Sequence, residues 1–504
     1  LMVTGVQTCA LPISSILFAS CLTYEKPTQL LEITTRPYLY KLAQKLGKTK
    51  MTIRDIPASE FDSWKEKGFN WVWFMGVWQV GKVGVEHDKV DSGCISGYDV
   101  NCPGWTTDDV IGSPYAIVKY EVNVEIGTEE DLIWLRNQLK ARGMKLMLDF
   151  VPNHSAIDSP LVQEKPNFYI RRPAGAYNTK RFSDNGFAYG CAQWCDPWTD
   201  TYQYNYFDQE FREHQINVLK KIASLADGAR CDMSHVVLRD AFYDYWKEEL
   251  TAYGYQKIDK EFWQEATEAV KAVYPDFKFL AESYGDNEAK LVSLGFDYAY
   301  DKVPYDKLTY QDPAGFIQQI WNRNDEYKSH MCFFTENHDE KRAISNFFGN
   351  YYAANAAAAA LLTLPGMRFF NQDQWFGPKY KIDVHLRRAP DEQPNQVCVQ
   401  FYEKLFNILK MNCMRNGKFT QLNCEGAAIP AWKYVLGDER ILVTVNFGSG
   451  RMGGSIKLDD APYGDNIPVQ ELISGETYYR NGNELRNNGL YVILDQYQVQ
   501  IFKY

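Results

Sequence analysis

Four short segments carry acidic groups at the ends of apolar runs: Asp149-Phe150-Val151-Pro152-Asn153-His154, Gly228-Ala229-Arg230-Cys231-Asp232, Phe279-Leu280-Ala281-Glu282 and Phe334-Thr335-Glu336-Asn337-His338-Asp339. Apolar stretches such as Lys145-Leu146-Met147-Leu148 and Met331-Cys332-Phe333-Phe334 read as strands buried on both faces, the pattern of a parallel sheet or barrel. An acidic residue at the C-terminal end of such a strand projects from one rim. Carboxylates gathered there raise one another's pKa and destabilise the unliganded protein, so their convergence points to chemistry. Cleavage of a glycosidic bond with retention needs this arrangement. One ionised carboxylate attacks the anomeric carbon, and a protonated one roughly 5 Å away protonates the leaving oxygen. Taken singly, any of these side chains could be a structural group at a strand end; four in this order form a site.

At these segments the chain resembles glycoside hydrolase family 13, the α-amylase family, from about Leu30 to the C-terminus. The resemblance implies that Asp232 is the nucleophile, Glu282 the general acid/base, and Asp339 a third carboxylate that orients the sugar 2- and 3-hydroxyls. It also implies that His154 and His338 hydrogen-bond the sugar in the cleaved subsite. Arg230, two residues before Asp232, lies on the same strand face, and its fixed charge is expected to keep Asp232 ionised. Glu282 is expected to be protonated, through the apolar run before it and its acidic neighbours. The segment Gly112-Ser113-Pro114-Tyr115-Ala116-Ile117, followed by Tyr120, is similar to the family's Gly-Tyr-Asp-Ile loop. That match makes Tyr115 the ring that stacks on the apolar face of a bound glucose; the plain alternative is a tyrosine plugging the barrel mouth.

The chain departs from the family pattern in three places. Exo-acting α-glucosidases carry Asp after this Tyr, whereas here it is Ala116. Many α-amylases follow the nucleophile with Lys and His at the third and fourth positions, but Asp232 is followed by Met233-Ser234-His235-Val236, so binding beyond the cleaved bond must differ. The Trp198-to-Tyr206 stretch resembles the motif closing the family's inserted domain, with Gln203 in the place usually held by a calcium-binding Asp. Losing that charged ligand weakens a site that needs six to eight oxygens. Calcium is therefore disfavoured, no cofactor is expected, and Asn153 reads as a hydrogen-bonding residue.

The formal charge of −10 argues against a nucleic-acid partner and suits a neutral substrate such as an α-glucan. No apolar run is long enough to span a membrane. Residues 1–13 look like the translation of a sequencing adapter and are set aside. The native start is then missing, and Ile16-Leu17-Phe18-Ala19-Ser20-Cys21 could be the tail of a signal peptide, so the sequence leaves a cytoplasmic or exported location open. Of the eleven cysteines, Cys231 and Cys332 read as small core residues, while Cys94 with Cys102 and Cys191 with Cys195 could pair after export.

Eight strand candidates alternate with helix-length segments: 31–35, 71–75, 145–150, 229–232, 277–282, 298–303, 331–335 and 367–371. That is the count of a (β/α)8 barrel. The expected organisation is a barrel over 14–154 and 207–414, an inserted domain at 155–206 after the third strand, and a C-terminal antiparallel β-sandwich at 415–504, with strands expected over 440–447 and 489–502. The combined reading is a retaining glycosidase of α-glucosidic bonds, most simply α-1,4-glucans or maltooligosaccharides. A transglycosylase using the same site is the alternative. A non-catalytic carbohydrate-binding or scaffold protein would have no need of all three carboxylates with Arg230 and both histidines.

Overall fold

The computed structural model describes residues 24–504 except 178, 192, 193 and 195. Residues 1–13, the Ile16–Cys21 stretch and Cys195 lie outside the described residues. Eight parallel strands close a barrel in sequence order: β1 (Thr28–Thr34), β2 (Trp71–Met75), β3 (Lys145–Phe150), β4 (Gly228–Cys231), β5 (Lys278–Ala281), β6 (Tyr298–Tyr300), β7 (Met331–Phe333) and β8 (Met367–Asn371). Helices cover the outside and side chains fill the inside, so β2, Trp-Val-Trp-Phe-Met, is buried at every position. The sixth strand–helix unit corrects one expected boundary. β6 stops at Tyr300, and Lys302–Thr309 is already helix, with Pro304 near its start, where its missing N–H leaves no bond unmade.

Two excursions rise from the rim that carries the strand C-termini. After β3, strands His154–Ala156, Tyr189–Gly190 and Trp198–Gln203 form a small antiparallel sheet in the segment expected to be inserted. The other, between β2 and β3, has no counterpart in the sequence reading, which gave 76–144 wholly to the barrel. It holds strands Trp78–Val80 and Ile117–Val122 and helices Lys82–Asp88 and Ser92–Asn101. Its small core of Tyr98, Cys102 and Val110 is completed by Leu386 from the loop after β8. Cys94 and Cys102 are free thiols. Their sulfurs cannot meet, because eight residues of mostly helical chain separate the α-carbons by about 12 Å, well beyond disulfide reach.

The C-terminal region is two antiparallel sheets, of six and three strands, with an apolar core between them. The expected strand at 440–447 is present as Glu439–Val445. The one expected over 489–502 is two strands, Leu490–Leu494 and Val499–Lys503, one in each sheet. The turn between them contains Tyr497 at φ +58°, which breaks the ladder. Helix Tyr351–Leu362 lies between barrel and sheet, contacting β8 and strand Glu439–Val445, and every residue from Ala353 to Leu362 is buried. Alanine suits a helix with no exposed face and close neighbours on two sides. Trp432 Nε1 donates to Thr363 Oγ1 at 3.2 Å, and Tyr434 Oη donates to the Thr363 carbonyl at 2.9 Å, fixing the helix end to the sheet. Among the described residues, no helix is long and apolar enough to cross a membrane.

Candidate active site

The ladder of β4 stops at Cys231, and Asp232 is the first residue beyond it, its N–H donating to the Phe150 carbonyl at 2.8 Å. Met233 then turns through the left-handed region, φ +44°. Ser234 N–H returns to the Glu282 carbonyl at 3.0 Å, while Glu282 N–H donates to the Cys231 carbonyl at 3.0 Å. These backbone bonds hold the Asp232 and Glu282 main chains side by side before any side chain is considered.

Arg230, fully buried, points into the same space, and one guanidinium serves both acids. Nη1 donates to Asp232 Oδ1 and Nη2 to Glu282 Oε2, each at 2.7 Å. Aromatic faces surround the cation, with Trp73, Tyr115 and Tyr300 ring centroids 5.1, 5.4 and 5.7 Å from Cζ, an environment suited to a buried guanidinium. Arg230 favours the ionised form of Asp232, as expected from the sequence, but it is opposed. Burial, and then the charge of Glu282, push the Asp232 carboxyl well above its usual range, and Arg230, pulling the other way, does not outweigh them.

The third carboxylate comes from the loop after β7, where Asn337 Oδ1 accepts from the N–H groups of Asp339 and Glu340 at 2.9 and 2.8 Å. Burial opposes ionisation of Asp339, but His338, Arg230 and Lys381 outweigh it and set the carboxyl below its usual value. Its neighbour Glu336 is tied to Arg342 at 2.6 Å and to Ala343 N–H at 2.7 Å, so it braces the loop. His338 lies behind the surface of the site. Its Nδ1 is 2.6 Å from Glu32 Oε1, and its Nε2 is 2.8 Å from Tyr115 Oη and 3.2 Å from Asp339 Oδ2. Burial lowers its proton affinity, but Asp339 and then Glu32 raise it further, for a net upward direction. Tyr115 stacks on this imidazole at 5.3 Å and 29°. His154, beside the Trp198 ring at 5.2 Å, is held neutral by burial, which lowers its pKa to about 4. Gly190 has to be glycine here, since a Cβ would stand 2.5 Å from Thr201 Oγ1 and 2.9 Å from His154 Cβ.

Asp232, Glu282, Asp339, Tyr115 and His154 all line one cavity of about 570 Å³ at the barrel mouth, while Arg230 and His338 support it from behind. The volume fits several pyranose rings' worth of a small-molecule cleft. The model of the alpha-amylase catalytic domain matches residues 109–379, more than half of the chain. The chain belongs to the alpha-amylase family.

Alpha-amylase 3 of Dictyoglomus thermophilum is 22% identical over 444 residues, covering 76% of this chain and 81% of that protein. Alpha-amylase MalA of Haloarcula japonica is 26% identical over 285 residues, 52% of this chain and 36% of that protein. Among solved structures, an alpha-amylase from Lactobacillus plantarum superposes with a TM-score of 0.67 at 20% identity, covering 95% of this chain and 98% of that one. Membership makes this alpha-amylase-family chain a glycosidase with a carbohydrate substrate.

Several residues of this family member's site went unrecognised in the sequence. Glu32, inside the barrel on β1, holds His338; its signal was a lone charge in the run Leu30-Leu31-Glu32-Ile33. Asp149, whose segment the sequence singled out without giving it a role, accepts from Trp73 Nε1 at 3.1 Å and Gly76 N–H at 2.8 Å, and burial raises its pKa to about 6. Tyr284, two residues past Glu282, donates to Glu282 Oε1 at 3.0 Å. At the position where many α-amylases carry a calcium-binding Asp, Gln203 Nε2 donates to both the carbonyl and the Oδ1 of Asn153, each at 2.9 Å, while its Oε1 accepts from Cys191 N–H at 3.3 Å. The amide orientation is fixed by its partners, because the reverse would set oxygen against two oxygens. An N–H donor therefore faces the oxygens a cation would need, and these residues do not fit calcium.

Proposed function

We propose that this glycosidase hydrolyses α-1,4-linked glucans or maltooligosaccharides with retention. Asp232 attacks the anomeric carbon as Glu282 passes its proton to the glycosidic oxygen. Glu282, then a carboxylate, takes a proton from the water that releases the sugar. Asp339, ionised at the mouth of the same cavity, accepts hydrogen bonds from the sugar hydroxyls, with Tyr115 and His154 forming the walls. The observation carrying this reading is the Arg230 fork, which gives two carboxyls on adjacent strand ends a single shared counter-ion. Ala116, where exo-acting α-glucosidases of the family carry Asp, places no carboxylate at that position and supports attack within a chain. The Gln203–Asn153 pairing supports activity without calcium.

Time-resolved thin-layer chromatography of a maltoheptaose digest tests the proposal. A ladder of shorter maltooligosaccharides is expected. Products longer than the substrate would identify sugar transfer, with a sugar hydroxyl in place of water, and no turnover of any α-1,4-glucan would refute the substrate class.

A further inference from the structure

The two oxygens of Glu282 are not equivalent. Oε2 accepts from Arg230 Nη2 at 2.7 Å and from Met233 N–H at 2.8 Å, so its lone pairs are engaged by a cation and a fixed backbone donor. Among the described residues, Oε1 accepts only from Tyr284 Oη, at 3.0 Å. A transferable proton therefore belongs on Oε1, the oxygen with no competing N–H donor. Tyr284 is held there by its ring, which packs edge-on to His235 at 5.6 Å, while His235 is stacked under Trp194 at 5.1 Å and 18°. Both Tyr284 and Glu282 line the cavity.

We propose that Tyr284 is a positioning residue for the acid/base: with Arg230 and Met233 N–H engaging Oε2, the proton is carried on Oε1, and the Tyr284 hydroxyl stands at that oxygen to donate to the carboxylate that appears as the proton leaves. The inference rests on the assignment of Glu282 as the acid. In the first step the O–H bond at Oε1 breaks and its proton goes to the glycosidic oxygen. The bond from C1 to that oxygen breaks, and an Asp232 oxygen bonds to C1. Negative charge develops on Glu282 only during this step, so the Tyr284 hydrogen bond is strongest in the transition state, where it lowers the barrier. Burial, with Glu282 and Asp339 adding to it, holds the phenol far above its usual range, so Tyr284 remains an O–H donor across working pH.

The test is Tyr284→Phe, nearly isosteric, assayed by kcat/KM on maltoheptaose and on an aryl maltoside whose phenolate departs without protonation. About a tenfold fall on maltoheptaose, with less than a twofold fall on the aryl substrate, is expected, on the scale of one hydrogen bond to a charged group. Equal falls on both substrates would make Tyr284 a packing residue and overturn the proposal, as would full activity on both. Glu282→Gln, measured in parallel, should show the same leaving-group dependence far more strongly. If it lacks that dependence, the acid assignment fails rather than the role of Tyr284.

Discussion

Replacing Arg230 with Met keeps an unbranched apolar stem but ends short of the guanidinium that faces Trp73, Tyr115 and Tyr300, and so removes the cation that touches both Asp232 and Glu282. Arg230 is 0% exposed and its two partners are nearly so, so neither water nor salt can substitute for it. Breaking a buried ion pair from one side costs about 3–5 kcal/mol, a large part of the 5–15 kcal/mol typical of whole-protein stability. The cost depends on pH with a definite sign. Removing the one influence that lowers Asp232 raises its folded-state pKa further above the unfolded value of about 3.9. A folded state that binds protons more tightly than the unfolded one loses stability as pH rises between those two values. The Tm deficit of Arg230→Met should accordingly be large at pH 8 and shrink on going to pH 5. Turnover should fall at least about 10³-fold, beyond the loss of one preorganised donor, because a protonated Asp232 cannot attack. Arg230→Lys separates charge from geometry: one ammonium should recover most of the Tm but cannot hold both carboxyls at 2.7 Å, so activity should stay at least about tenfold down. Melting curves from pH 5 to 8 with maltoheptaose kinetics at each pH check this. A deficit independent of pH, or Arg230→Met retaining a tenth of wild-type activity, would refute the shared-counter-ion argument.

Asp232→Asn and Glu282→Gln should each abolish hydrolysis of maltoheptaose while leaving the Tm within a few degrees, and proton NMR of a fresh wild-type digest should show the α-anomer first; β-anomer first would contradict a double displacement. Tyr115→Phe should lower kcat/KM on maltoheptaose less than Tyr115→Ala does, since it keeps the ring while losing the 2.8 Å contact with His338. The Ala variant should lose about tenfold on the scale of an aromatic contact, and equal behaviour of the two would assign the whole effect to the hydroxyl. Dialysis against a chelator should leave both activity and Tm unchanged, whereas a drop of several degrees restored specifically by calcium would show native-state binding.

Sequence alone revealed the barrel most clearly because its strands are buried on both faces and read as unbroken apolar runs; all eight candidates are strands. Their ends were less legible. Ladder bonding stops just before Asp232 and Glu282, and only the loops beyond decide where the chain turns. The excursion at 76–128 left no periodic signal because its helices Lys82–Asp88 and Ser92–Asn101 are short and largely polar, and Leu386, nearly 300 residues away, closes its core. In the site, the residue types were recognisable but their sharing was not. That Arg230 divides its fork between two acids, or that His338 is engaged by Glu32 and Tyr115, depends on barrel closure bringing β1, β4, β5 and the loop after β7 together.

The alanine-rich helix Tyr351–Leu362 lies in the barrel's hydrophobic core, and that core runs on to one face of the six-stranded sheet through Trp432, Ile441 and Val443, so the barrel and the C-terminal sheets share a wall rather than a linker. A chain cut near residue 415 would leave that wall bare along the face now covered by strand Glu439–Val445. The two parts should therefore melt in one calorimetric transition, and a catalytic fragment freed of its C-terminal sheets should aggregate before it could be assayed. For the same reason, recombining this barrel with a relative's C-terminal region would require matching the small residues of this helix first, because the junction between the two parts is a packed core rather than a tether.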